Sequence, residues 1–178
     1  HILWDVSTFS QDTKYYYEQL FLRQKVFKSP MMSIHAGYRG SCSWSQWLLN
    51  VQHLSSLAQS VGTDMCVEGL YPLKAKPQYI DSFKEYQFLM DNDIPYALDL
   101  SHLNIVAKHE KWDMALVKDL LSSPLCMEVH VSDNDGHRDS HALVSKPPVW
   151  LGLLNYKSDH AIVFSEGCLL PRRVYQKP

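Results

Sequence analysis

The sequence predicts an α/β chain whose strands run parallel and carry helices on the outside. Three observations lead there. Short apolar, β-prone runs recur at residues 2–6, 31–35, 65–68, 96–99, 127–131 and 161–165. Their period is about 31 residues, the length of one strand plus one helix and its turns. Most gaps between the runs show helical rather than alternating apolar spacing. Parallel neighbours need a crossover, nearly always right-handed, so these runs predict about six strands of one sheet.

The elements follow in order. A helix over 13–26 comes after the first run. After the second, Ser43-Trp44-Ser45-Gln46 has the form of a capping box. Behind it Trp44, Trp47, Leu48, Val51, Leu54, Leu57, Ala58 and Val61 repeat at helical spacing, and Gly62 supplies the stop. Pro77 suits a first helical turn, followed by Tyr79, Ile80, Phe83, Tyr86 and Met90 on one face and by the Asp91-Asn92-Asp93 turn. A helix over 112–121 stops before Pro124, and a shorter one spans 149–155.

Two architectures fit such alternation, a doubly wound open sheet and a (β/α)₈ barrel. No G-x-G-x-x-G or G-x-x-x-x-G-K-[ST] follows a strand, which removes the main support for a nucleotide-binding open sheet. A full barrel takes about 250 residues. This chain has 178, so the barrel it predicts is incomplete, a single domain over 1–178 with about six of eight strands.

Composition narrows the function classes. The chain is 46% hydrophobic and 20% charged, the profile of one globular domain. Seventeen basic residues against nineteen acidic ones give a net charge of −2 and no broad positive field, which disfavours nucleic acid as a partner. No apolar run approaches the ~18–20 residues of a membrane span, and the first residues do not read as a leader. Cys42, Cys66, Cys126 and Cys168 lie far apart with no C-x-x-C pair, so a reducing, cytoplasmic compartment is expected.

The chemistry is concentrated at strand ends. His35, Glu68, Asp99, His130 and Glu166 stand at the C-terminal ends of five successive runs. In a barrel those ends converge on one mouth, where barrel active sites lie. A carboxylate ending an apolar strand is costly unless paired, hydrogen-bonded or bound to a cation, and five such residues in phase point to a metal or catalytic centre. The polar loop from His130 to His141 is not a calcium loop: aligning Gly136 with the turn glycine puts Val131 at the first ligand position and Ala142 where a bidentate Glu is needed.

The phrases Cys66-Val67-Glu68, Ala97-Leu98-Asp99-Leu100-Ser101-His102, and His130-x-x-Asp133 with Asp139-x-His141 resemble the xylose isomerase-like TIM barrels. That superfamily includes sugar isomerases and epimerases and endonuclease IV (AP endonuclease family 2). The resemblance runs from about Met31 to Glu166 and implies that the first two βα units and the last helix of the barrel are not in this chain. It further implies one divalent ion, Mn²⁺, Zn²⁺, Co²⁺ or Mg²⁺, held by Glu68, Asp99, His130 and Glu166, with Glu68 and Glu166 moving protons. His35, His102, Asp139 and His141 would bind substrate or additional metal.

The first function so implied is a metal-dependent isomerase or epimerase acting on a small sugar or hydroxy-carbonyl compound. The second is an endonuclease IV-like phosphodiesterase acting on abasic DNA, for which His102, Asp139 and His141 match the ligands of a further metal. Against it, the first run is followed by Ser7-Thr8-Phe9-Ser10 without the expected His, and Ala142-Leu143-Val144 stands in place of a Gly-Glu-Gly turn. A non-catalytic barrel remnant that binds a ligand or partner is the third. A homo-oligomer stays open.

Overall fold

Five parallel strands pair in chain order, so every connection is a crossover carrying helix. A computed structural model describes residues 4–167. The strands are β1 (Met31–His35), β2 (Asp64–Glu68), β3 (Tyr96–Asp99), β4 (Cys126–Val131) and β5 (Ile162–Ser165). The helices are α1 (Lys14–Phe27), α2 (Trp44–Ser60), α3 (Phe83–Asp91), α4 (Leu100–Glu110) and α5 (Met114–Ser122). The sheet is a half-barrel: an α/β fold with the strand order of an incomplete TIM-type barrel.

Among the described residues five strands form where six are expected. Residues 1–3 of the first run lie outside the described residues, and Asp5 makes only an isolated parallel bridge to His35. Val6–Thr8 turns instead as a 3-10 helix, because Asp5 and Thr8 cap each other: the Asp5 carboxylate accepts from Thr8 N at 3.1 Å and Thr8 Oγ1 accepts from Asp5 N at 3.3 Å.

The helix expected from Pro77 starts at Phe83. The backbone of the intervening residues is spent on neighbouring loops: Tyr79 N–H donates to Gly37 O at 2.9 Å, Arg39 N–H to Pro77 O at 3.1 Å and Leu70 N–H to Ile80 O at 2.8 Å. Ile80 takes a φ of +54°, which breaks helical continuation. Tyr79 and Ile80 are still buried, so their apolar pattern was real while its period was not helical.

The segment over 149–155 forms a 3-10 rather than an α-helix. α4 is an additional element, starting directly at the end of β3. The capping box is half realised: Ser43 Oγ accepts from Gln46 N at 3.2 Å, but the Gln46 side chain donates to Asn50 Oδ1 at 2.9 Å.

The main core lies between the sheet and its helices, with Trp47, Leu54, Tyr79, Tyr86, Tyr96 and Leu98 fully buried. Trp47 anchors the β1 end of it, stacking on Trp44 and Tyr79 and donating its indole N–H to Ala36 O at 2.8 Å. Cys42, Cys66 and Cys126 are free thiols, and Cys168 lies outside the described residues. No described helix is long and apolar enough to cross a membrane.

Candidate functional site

The sheet's C-terminal edge gathers the residues that the strand-end phasing singled out. His35 and Glu68 are direct partners across β1 and β2, as are Asp99 and His130 across β3 and β4, and Glu166 follows β5. Glu68, Asp99 and His130 are buried, whereas the Glu166 side chain is 31% exposed and the His35 side chain 49%. A cavity of about 360 Å³ is lined by His35, Glu68 and Glu166 of this set together with His102, Asp139 and His141. That volume suits a small molecule.

Local chain physics aims each group. Asp99 is the N-cap of α4, its Oδ1 accepting from Ser101 N at 2.6 Å and His102 N at 3.1 Å. Capping ties down one oxygen and leaves Oδ2 buried with no hydrogen-bond partner. His102, on the first turn of α4, places Nδ1 at 2.9 Å from Gly69 O, which directs Nε2 to Asp99 Oδ2 at 3.4 Å and Asp139 Oδ2 at 3.6 Å. Its ring packs on Tyr71 with centroids 4.9 Å apart. His130 places Nδ1 at 3.6 Å from Glu68 Oε1 and 3.3 Å from Glu166 Oε1, and this nitrogen too is buried with no hydrogen-bond partner.

Among the described residues, two groups of three side chains have the geometry to hold a metal ion. Glu68, His130 and Glu166 form one; Glu68, Asp99 and His102 form the other, so Glu68 is common to both. Three of the four expected ligands therefore converge in one group, and Asp99 joins through the second. The donor set fits a divalent cation: carboxylate oxygens and imidazole nitrogens, with Asp99 Oδ2 and His130 Nδ1 both orphaned and turned toward the cluster. His35 Nε2 lies 3.4 Å from Glu68 Oε2. His102 and His141 are joined through Asp139, His141 Nε2 lying 2.7 Å from Asp139 Oδ2 and its Nδ1 3.3 Å from Glu166 Oε2.

The strand-end pattern did not single out Asp5, Tyr38, Tyr71 and Gln78, which also line the cavity. Asp5 stands one residue before the end of the first run, and the structure sets it beside His35 through a parallel bridge. Its carboxylate accepts from Ser7 Oγ at 2.6 Å, and it packs so closely on Gly37 that a Cβ there would lie 2.2 Å from Asp5 Oδ1. Gly37 has a φ of +89°, so both space and backbone require glycine. The tyrosines and Gln78 come from loops with no motif.

The imidazoles and carboxylates hold one another in their charged forms. Burial lowers the His130 pKa, but the carboxylates of Glu128, Glu166 and Glu68 outweigh it and push the ring up to about 12. Burial likewise opposes charge on His102, yet Asp99 and Asp139 push it up to about 9. Burial raises Glu68, but His130 and His35 more than compensate and hold it well below the usual carboxylate range. His130 lowers Glu166, Glu68 raises His35, and burial raises Asp99.

A stability profile follows for chain stripped with chelator. Because the folded pKa of His102 exceeds its ordinary 6.5, its contribution is complete below about pH 6.5 and is lost as pH rises through about 9. The depressed carboxylates Glu68 and Glu166 act in the opposite sense, stabilising above their ordinary 4.5 and losing that contribution on acidification. Thermal melts in EDTA should therefore peak between these limits and fall toward pH 9. A melting temperature flat from pH 6 to 10 would contradict these couplings.

No protein-family model matches the chain, and no curated protein matches it. Solved structures do, and they show that the chain has a TIM-barrel-type α/β fold. The apo form of YcjR, a 3-keto-D-glucoside 4-epimerase from E. coli, aligns with a TM-score of 0.64 at 14% identity, over 90% of this chain and 67% of that one. A D-tagatose 3-epimerase-like protein aligns with a TM-score of 0.67 at 14% identity, over 92% of this chain and 67% of that one. A xylose isomerase domain-containing protein from Salmonella typhimurium aligns with a TM-score of 0.63 at 12% identity, over 94% and 65%. The chain thus spans about two thirds of the length of these structures and shares their fold over that span.

Proposed function

We propose that the chain is a divalent-metal-dependent sugar epimerase or isomerase, acting on a small sugar or hydroxy-carbonyl compound by proton transfer between Glu68 and Glu166. The observation that carries this reading is the orphaned His130 Nδ1, which faces one carboxylate at 3.6 Å and another at 3.3 Å. Nearby lone pairs and negative oxygens repel unless a proton or cation lies among them. The epimerase names of the structures that share the fold support the same class.

Glu68, Asp99, His130 and Glu166 would hold the ion. When bound, a divalent ion supplies Lewis-acid polarisation of the substrate carbonyl. Glu68 takes the proton from the carbon beside that carbonyl. Glu166 returns one to the opposite face in an epimerisation, or to the neighbouring carbon in an isomerisation. His102, Asp139 and His141 hold substrate hydroxyls, with His102 fixed by its bond to Gly69 O. Tyr71, packed on His102, offers an apolar face to the sugar C–H groups.

Asp139 lying between His102 and His141 favours the phosphodiesterase reading. The cavity opposes it: its described lining holds Asp5, Glu68, Asp139 and Glu166 but no Lys or Arg to receive a phosphate. A panel of ketoses and hydroxy-ketones incubated in D₂O with Mn²⁺ or Co²⁺ tests the proposal. NMR should show deuterium entering the carbon beside the carbonyl of one substrate. Cleavage of an abasic-site oligonucleotide without exchange in any sugar would move the assignment to phosphodiester hydrolysis. Neither activity would leave the non-catalytic reading.

A further inference from the structure

We propose that Glu128 is a positioning residue that fixes the His130 ring so that its Nδ1 lone pair faces the Glu68 and Glu166 carboxylates; the proposal rests on the metal reading of that site. Glu128 precedes His130 by two residues on β4, so both side chains share one face. A bulge makes that face the inner one. Tyr96 pairs with Cys126, but Ala97 pairs with Glu128, leaving Met127 as an extra residue in β4. Without it, continuous pairing would set Glu128 opposite Leu98, which belongs to the outer core, and would turn His130 away from Asp99.

The carboxylate is 4% exposed and has Ala97 and Ile162 as its strand partners. Its Oε2 lies 3.1 Å from His130 Nε2. A buried charge in such company is unfavourable unless it is paired, and the imidazole is the partner it meets. An imidazole that donates through Nε2 can present Nδ1 as a lone pair, which is what a metal ligand needs. Phe164 fixes the ring further, meeting it edge to face with centroids 5.8 Å apart.

The test is titration of Co²⁺ into chelator-stripped chain, followed by the visible absorption of the bound ion, for the unaltered chain, E128M and E128Q. E128M should bind roughly 10- to 100-fold more weakly, with shifted absorption bands. E128Q, whose amide oxygen still accepts from Nε2–H, should recover most of the affinity. In EDTA, E128M should melt lower than the unaltered chain, because it leaves the buried His130 Nε2 without its partner, so affinities are compared at a temperature where both chains are folded. Native affinity and native bands in E128M would overturn the proposal, as would an affinity loss that only tracks its unfolded fraction. An unaltered chain that takes up no Co²⁺ would overturn the metal reading and this proposal with it.

Discussion

Glu68→Gln is expected to lower turnover by about 10³-fold or more, the upper part of the range for losing a positioned acid–base group. The substitution keeps the shape of the side chain and removes its charge. Glu68 is 6% exposed, and its oxygens lie 3.4 Å from His35, 3.6 Å from His130 and 3.9 Å from His102. It is also the residue common to both metal-competent groups. On the proposed roles, loss of its charge removes the proton acceptor and weakens the hold on the ion together. Glu166→Gln should cost a comparable factor in rate but less metal, because Glu166 is 31% exposed and belongs to one group. Steady-state rates at saturating Mn²⁺, with circular dichroism to confirm folding, check both; a Glu68→Gln variant within tenfold of native would contradict the assigned role.

Trp47→Ala is expected to destabilise the fold by about 3–5 kcal/mol, the usual cost of truncating a large buried aromatic. The ring is fully buried, stacks on Trp44 at 5.2 Å and Tyr79 at 5.5 Å between centroids, and donates to Ala36 O at 2.8 Å. Its loss opens a cavity and strips the donor from a buried carbonyl beside His35. Trp47→Phe keeps most of the packing and should cost less, about 1–3 kcal/mol for the unpaired carbonyl. Denaturant melts in EDTA measure both. Equal losses in the two variants would mean that the hydrogen bond, not the packing, dominates.

The strand ends were legible because burial on both faces writes parallel strands as short continuous apolar runs, and because polar residues at their C-terminal ends stand out against them. β1 and β3 begin and end where the runs do, and His35, Glu68, Asp99 and His130 meet as the phasing expects. What the pattern hid has identifiable causes. α4 begins with no connecting loop, and Asp99, read as a ligand, is also the N-cap that starts it. Pro77, Tyr79 and Ile80 place backbone groups in long-range bonds to Arg39, Gly37 and Leu70, which no local propensity encodes. Glu128 sits in a strand run with no motif, and its meaning depends on the bulge at Met127, a property of the pairing with β3.

The central claim is one divalent ion held by Glu68, Asp99, His130 and Glu166. Elemental analysis of metal per chain, on the purified protein and on a folded Glu68→Gln, Glu166→Gln double variant, tests it most directly. The account predicts about one divalent ion per chain, lost in the double variant. No metal in the unaltered chain, or the same content in both proteins, would contradict it.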